Sequence, residues 1–201
     1  MFNKITEFED AIAKFYGSTF AVAVDSCTHA IELSLRYTGV RSATCPARTY
    51  ISLPFTFEKL GIKWYFEDIK WQDYYFIGNT NIVDAAVYWK ERSYIPNTFM
   101  CLSFQFKKHL NLTRGGVILT DDLSAYQTLK KMSYDGRTFD QPWTEQDIDT
   151  IGYHYYMTPE TAQLGLERLP NAVNSLPNKH WSYLDYPHLP DMTVFKNKGL
   201  T

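Results

Sequence analysis

The sequence has no apolar run long enough to cross a bilayer, and its first residues, Met1-Phe2-Asn3-Lys4, lead into an amphipathic segment rather than a signal-type stretch. Neither a membrane partner nor secretion is expected. Cysteine is scarce: Cys27, Cys45 and Cys101 are far apart, odd in number and without metal-ligand spacing. They are expected to be reduced thiols of a cytoplasmic protein, with no metal site. Charge of one sign is also lacking. Twenty basic residues face 22 acidic ones for a net charge of -2, which leaves nothing to attract nucleic acid. There is no Walker loop, no G-x-S-x-G and no H-E-x-x-H, and the five histidines are scattered. Repeats, low-complexity segments and linkers are absent. At 201 residues the chain is most simply one domain with a sizeable core. Aromatics, in contrast, are abundant. Fifteen tyrosines and 13 phenylalanines fit a surface partly covered by a partner subunit.

Apolar spacing predicts alternating helices and strands. Phe8, Ala11, Ile12 and Phe15 mark a short helix stopped at Gly17. Phe20–Val24 is an apolar strand, and Asp25-Ser26-Cys27-Thr28 opens a second helix that ends at Gly39. A short strand end at 43–46, a helix over 50–60 and a strand over 63–66 follow. Residues 69–80 are aromatic and irregular. Strands are expected at 81–86, 98–104 and 117–120, then helices at 121–132 and 158–169. The last helix begins at Thr158-Pro159, with cap and proline in the favoured order. Residues 1–170 form the expected α/β domain, a mostly parallel sheet flanked by helices. Residues 171–201 form a short irregular tail.

In such a sheet, ligands sit beyond the carboxyl ends of the strands. Three sequence features fall at strand ends: Ser26–Thr28, Asp84 and Ser103–Lys108. Each has a bland reading. The first can be only a helix cap, Asp84 a solvated strand end, and Lys107-Lys108 an exposed loop. Together they meet the needs of pyridoxal phosphate. The aldehyde requires an amine, the pyridine nitrogen a carboxylate, and the phosphate hydroxyls and free helix N–H groups.

The motifs run in an order that resembles the DegT/DnrJ/EryC1/StrS family, sugar aminotransferases of fold type I. Ala21-Val22-Ala23-Val24-Asp25-Ser26-Cys27-Thr28 is similar to the family's phosphate turn. Pro46-Ala47-Arg48-Thr49-Tyr50 is similar to the segment whose aromatic residue covers the cofactor ring. Val83-Asp84-Ala85-Ala86 is similar to its "E-D-A-A". Ser103-Phe104-Gln105-Phe106-Lys107-Lys108-His109-Leu110 followed by Gly115-Gly116 is similar to "S-F-x-x-x-K-x-L…G-G", and Gly152–Met157 to "G-Y-N-Y-R-M". The resemblance implies pyridoxal 5'-phosphate as cofactor and Lys108, not Lys107, as the Schiff-base lysine and proton carrier. It implies Asp84 at the pyridine nitrogen and Cys27, Thr28, Ser103, Tyr50 and His154 as further cofactor contacts. It implies amino transfer, with glutamate as donor, to a nucleotide-linked keto-sugar, in a homodimer with a shared active site.

The chain departs from the pattern in four places. The stretch from Asp68 to Asp84 is short, and the small C-terminal domain is largely missing, so the large domain is expected to be truncated. Val87 stands where Gln or His is usual. His154 and Tyr156 replace the Asn and Arg of the loop that reaches the neighbour's cofactor. Two readings follow: a pared-down aminotransferase, or a degenerate member that keeps the fold as a non-catalytic binding or structural protein.

Overall fold

The computed structural model describes residues 2–196, so Met1 and residues 197–201 of the expected tail lie outside the described residues. Helix α1 (Asn3–Tyr16) buries Ile5, Phe8, Ile12 and Phe15 along one face. It begins ahead of Phe8 because Ile5 continues the same face. Gly17 stops it with a φ of 82°, which lets the Gly17 and Ser18 N–H groups both donate to the Ala13 carbonyl (2.8 and 3.1 Å). Strand β1 (Phe20–Val24), helix α2 (Cys27–Thr38), strand β2 (Ser42–Pro46), helix α3 (Ser52–Leu60) and strand β3 (Lys63–Glu67) follow. Next come β4 (Tyr75–Phe76), β5 (Ile82–Asp84), β6 (Phe99–Ser103) and β7 (Gly116–Thr120), and then helices α4 (Leu123–Ser133) and α5 (Pro159–Val173). The two-residue β4 lies inside the stretch expected to be irregular. Helix α5 continues through Pro170, beyond its expected end at Leu169. The lost N–H falls in the final turn, which closes through the Asn174 N–H to the Pro170 carbonyl (3.3 Å).

The main sheet has the order β1-β7-β6-β5-β4, and β2 and β3 form a separate parallel pair. The expectation of a mostly parallel sheet is corrected here. In the main sheet only β5 and β6 pair in parallel; β1–β7, β6–β7 and β4–β5 are antiparallel. The chain between β6 and β7 is a hairpin-like excursion rather than a helical crossover, so β7 must reverse. Along β1 the period-two alternation separates two cores. Val22 and Val24 face one, with α2, α3, α4 and the β2–β3 pair; Ala21 and Ala23 face the other, with α1 and α5. The sheet is thus the middle layer of a mixed α/β fold. Beyond α5, Leu189 and Phe195 return into the first core, 0% and 2% exposed. No helix among the described residues is long and apolar enough to cross a membrane.

Strand β1 is an edge, and one buried ion pair covers part of it. Glu9 of α1 accepts the Ala23 N–H (2.7 Å), and both its oxygens accept from Lys130 Nζ of α4 (2.8 Å each). Burial pushes the Glu9 carboxyl above its ordinary range, against the lowering effect of Lys130 and the Ala23 N–H. A Lys130→Met chain is expected to lose about 3 kcal/mol in urea denaturation, because it strands a buried carboxylate. Glu9→Gln in the same chain recovers part of that loss. A loss below about 1 kcal/mol, the level of an exposed pair, contradicts this role.

Candidate active site

Parallel pairing of β5 with β6, in the register Asp84 opposite Cys101, puts Asp84 and Ser103 at neighbouring carboxyl ends. The N-terminus of α2 lies close by because β7 begins with a glycine. A Cβ on Gly116 would stand 2.4 Å from the Ser26 carbonyl carbon and 2.5 Å from the Cys27 nitrogen. Between β6 and β7 the chain makes a tied loop. The Phe104 N–H donates to Gly115 O, the Leu112 N–H to Phe104 O (both 2.9 Å), and the Lys108 N–H to Gln105 O (2.8 Å). That turn leaves Phe106 and Lys107 exposed and turns Lys108 inward, half-buried.

These elements enclose a cavity of about 330 Å³. Lys108, Asp84, Ser103, Cys27, Thr28 and Tyr50 all line it. Tyr50 is the exposed one, 54% accessible at the cavity wall. His154 is not brought in. It is exposed, pairs with Asp135 (2.9 Å), and lines a separate depression with Arg114 and Tyr156. Val87, one of the departures, also lines the main cavity.

Asp84 is held by two donors: the Tyr75 hydroxyl to Oδ2 (2.5 Å) and the Ala86 N–H to Oδ1 (3.1 Å). Thr49 Oγ1 lies 2.5 Å from the Tyr75 oxygen. With Asp84 ionised, Tyr75 donates to it and Thr49 donates to Tyr75. Burial raises the Asp84 carboxyl above its ordinary range; the Tyr75 hydroxyl, the Ala86 N–H and the Lys108 charge act against this. Burial likewise pulls the Lys108 amine below the ordinary lysine range. The Asp84 charge opposes that fall, as would a Cys27 thiolate, and Lys107 adds to it. No carboxylate stands within ion-pair distance of Lys108 Nζ among the described residues. The Cys27 thiol is pushed up by burial, with Asp84 and Cys101 adding to the effect, so it stays protonated. At the mouth of α2 the Ser26 hydroxyl accepts the His29 N–H (3.3 Å), and Thr28 Oγ1 donates to Ser52 Oγ (2.8 Å). The first N–H groups of a helix have no partner within it, so those of Cys27 and Thr28 are donors for an anion.

Sequence reasoning missed Tyr75, Thr49, Ser52, Trp71 and Tyr186, all of which line this cavity. Tyr75 and Trp71 lay in the aromatic stretch read as irregular, where nothing local marks a ligand of Asp84. Tyr186 arrives from the far end of the chain, its carbonyl accepting from Arg48 (2.8 Å).

A sequence profile of the DegT/DnrJ/EryC1/StrS aminotransferase family matches residues 1–87 and 91–185. The chain belongs to this family. Its members depend on pyridoxal 5'-phosphate. No curated protein matches the chain. Among solved structures, a Bacillus cereus ATCC 10987 protein assigned as a PLP-dependent aminotransferase superposes with a TM-score of 0.77 at 13% identity, covering 98% of this chain and 81% of that one. A DegT DnrJ EryC1 StrS aminotransferase from Brucella abortus gives 0.73 at 15% identity, covering 98% and 80%. Spr1654 from Streptococcus pneumoniae, assigned as a sugar aminotransferase and solved in its PMP form, gives 0.70 at 20% identity. The match covers 85% of this chain but only 59% of that one. At these identities the likeness establishes the fold.

The Lys108 amine sets a pH dependence. Its folded-state affinity for a proton is lowered, whereas in the unfolded chain it titrates near 10.4, within about a unit. Between the two values the unfolded state binds the extra proton, so stability rises with pH across that window. Lys108→Met removes the cost of the buried charge. The variant is therefore expected to be more stable than the parent at neutral pH, and the gap to narrow as pH climbs toward the ordinary lysine range. Chemical denaturation of both chains across that range measures it; a gap that does not change with pH contradicts the burial argument.

Proposed function

We propose that this chain is a pyridoxal 5'-phosphate-dependent aminotransferase, moving an amino group from glutamate to a nucleotide-linked keto-sugar. One observation carries the reading: an inward-turned lysine amine, an oriented carboxylate and an open helix N-terminus line the same cavity. That donor set fits the cofactor's aldehyde, ring nitrogen and phosphate in turn. When bound, the cofactor supplies an electrophilic carbon and a ring that withdraws electrons.

The chain's own residues do the rest. Lys108 Nζ supplies the amine that bonds the cofactor. Partial burial favours its neutral, nucleophilic form, and Nζ in that form could accept and return a proton. Asp84 would hold the proton at the ring nitrogen, and Tyr75 and Ala86 fix the carboxylate's orientation. The Cys27 and Thr28 N–H groups and the Ser103, Thr28 and Ser52 hydroxyls take the phosphate. Tyr50, on the cavity wall, would cover the cofactor ring.

His154 belongs to this site only through a second copy, so the reading includes a homodimer whose loop at 153–157 presents His154 to the neighbour's cavity. The exposure of the His154 side chain on that loop supports it. In this reading residues 1–170 supply most of the cofactor-binding domain, and the described residues after them add Tyr186 to the cavity wall and Leu189 and Phe195 to the core. Three buried, unbridged thiols support a cytoplasmic setting.

Mixing purified protein with pyridoxal 5'-phosphate is expected to produce an absorbance band near the visible edge. Lys108→Ala abolishes it, and glutamate shifts it. Absence of the band in the parent sinks the cofactor reading; a band indifferent to glutamate and other amino donors sinks the transferase reading.

A further inference from the structure

A second cavity, about 310 Å³, lies on the other side of Lys108. Its walls include Lys107, Lys108, His109 and Lys179, together with Trp89 and Trp181, and no carboxylate-bearing residue lines it among the described residues. Ser103, Lys108, Ala86 and Val87 line both cavities, so the two abut at the amine.

The C-terminal tail builds one wall of it. The Asp73 N–H donates to Trp181 O (2.8 Å) and the Tyr183 N–H to Trp71 O (3.1 Å), with Gln72 bridged to Ser182 between them. This short antiparallel tie fixes Trp181 so that Lys108 Nζ stands 5.9 Å from its ring centroid. Lys179 Nζ lies 4.2 Å from the same ring centroid and pairs with Asp185 (2.5 Å). Lys107 forms no ion pair among the described residues; its Nζ lies 5.6 Å from the Phe106 ring centroid. His109 Nε2 faces the Ala172 carbonyl (2.9 Å), which fixes the proton on Nε2 and leaves Nδ1 uncommitted. Lys107 and Lys179 line this hollow, and the two carboxylates that bear on its amines, Asp185 at Lys179 and Asp84 at Lys108, both lie outside its lining, which favours an anion there.

We propose that this second cavity binds an anionic group, a carboxylate or a phosphate, carried by the molecule that reacts at Lys108, with Lys107 and Lys179 as its charge partners and Trp181 as the ring that positions the Lys179 amine. The link to a molecule reacting at Lys108 rests on the proposed function; the anion site itself stands on the cavity and its charges. The tail thereby acts as a specificity element, since Lys179 and Trp181 both come from it.

Calorimetric titration of the full chain, preincubated with pyridoxal 5'-phosphate to fill the first cavity, tests this with two probes, inorganic pyrophosphate and succinate. At least one is expected to bind saturably. Binding weakens about tenfold or more in Lys107→Met/Lys179→Met, as loss of charge-assisted bonds implies, and is unchanged in Lys63→Met on the exposed face of β3. Pyrophosphate alone binding assigns the site to phosphate-bearing molecules, succinate alone to carboxylates, and both to anions of either kind. Lys107 is exposed, so Lys107→Met alone carries the test if the double variant fails to fold. The proposal is overturned if neither probe saturates, or if the Lys107 and Lys179 variants bind as the parent does. Failure of the cofactor band with anion binding intact removes the proposed function and leaves this site standing.

Discussion

Two groups of opposite charge, Asp84 and Lys108, are withdrawn from water around one hollow without forming an ion pair with each other. Desolvation works against the charged form of both. A structure optimised for stability alone would either join them or replace them with apolar residues. Here each is held separately, Asp84 by Tyr75 and Ala86, and Lys108 by the tied loop between β6 and β7. Under the proposed function, the cavity that both groups line would take a cofactor with an aldehyde at one end and a ring nitrogen at the other. Much of the fold serves this separation. The parallel β5–β6 pairing places the two carboxyl ends side by side, and Gly116 lets α2 approach from the third side.

Much of this was legible in the sequence, for identifiable reasons. Helix and strand positions followed from apolar period and from glycine stops, which are local. The order of the motifs singled out Lys108 over Lys107, which composition and spacing alone left undecided. Strand direction was not legible. Apolar runs such as 99–103 and 116–120 are buried on both faces, and such runs read alike in parallel and antiparallel sheets. The reversal of β7 depends on the conformation of the loop before it. The support of Asp84 was hidden for a different reason. Tyr75 reaches it through a two-residue edge strand, an element set by tertiary pairing and too short to leave a period.

The tail shows the same limit. Its prolines and lack of period gave no sign that Leu189 and Phe195 would enter the core or that Tyr186 and Trp181 would reach the site. These contacts depend on backbone pairing between residues more than a hundred positions apart, such as Asp73 with Trp181. In a chain that spans 59% of the Streptococcus pneumoniae protein it resembles, this returning segment covers surface around the cofactor cavity that would otherwise face water.

The central claim is that the buried amine, rather than its exposed neighbour, is the group that bonds the cofactor. Borohydride reduction of the protein with pyridoxal 5'-phosphate, followed by peptide mass spectrometry, addresses it directly. The structure predicts one dominant modification, on Lys108. A modification on Lys107, or one spread over surface lysines, would contradict the account.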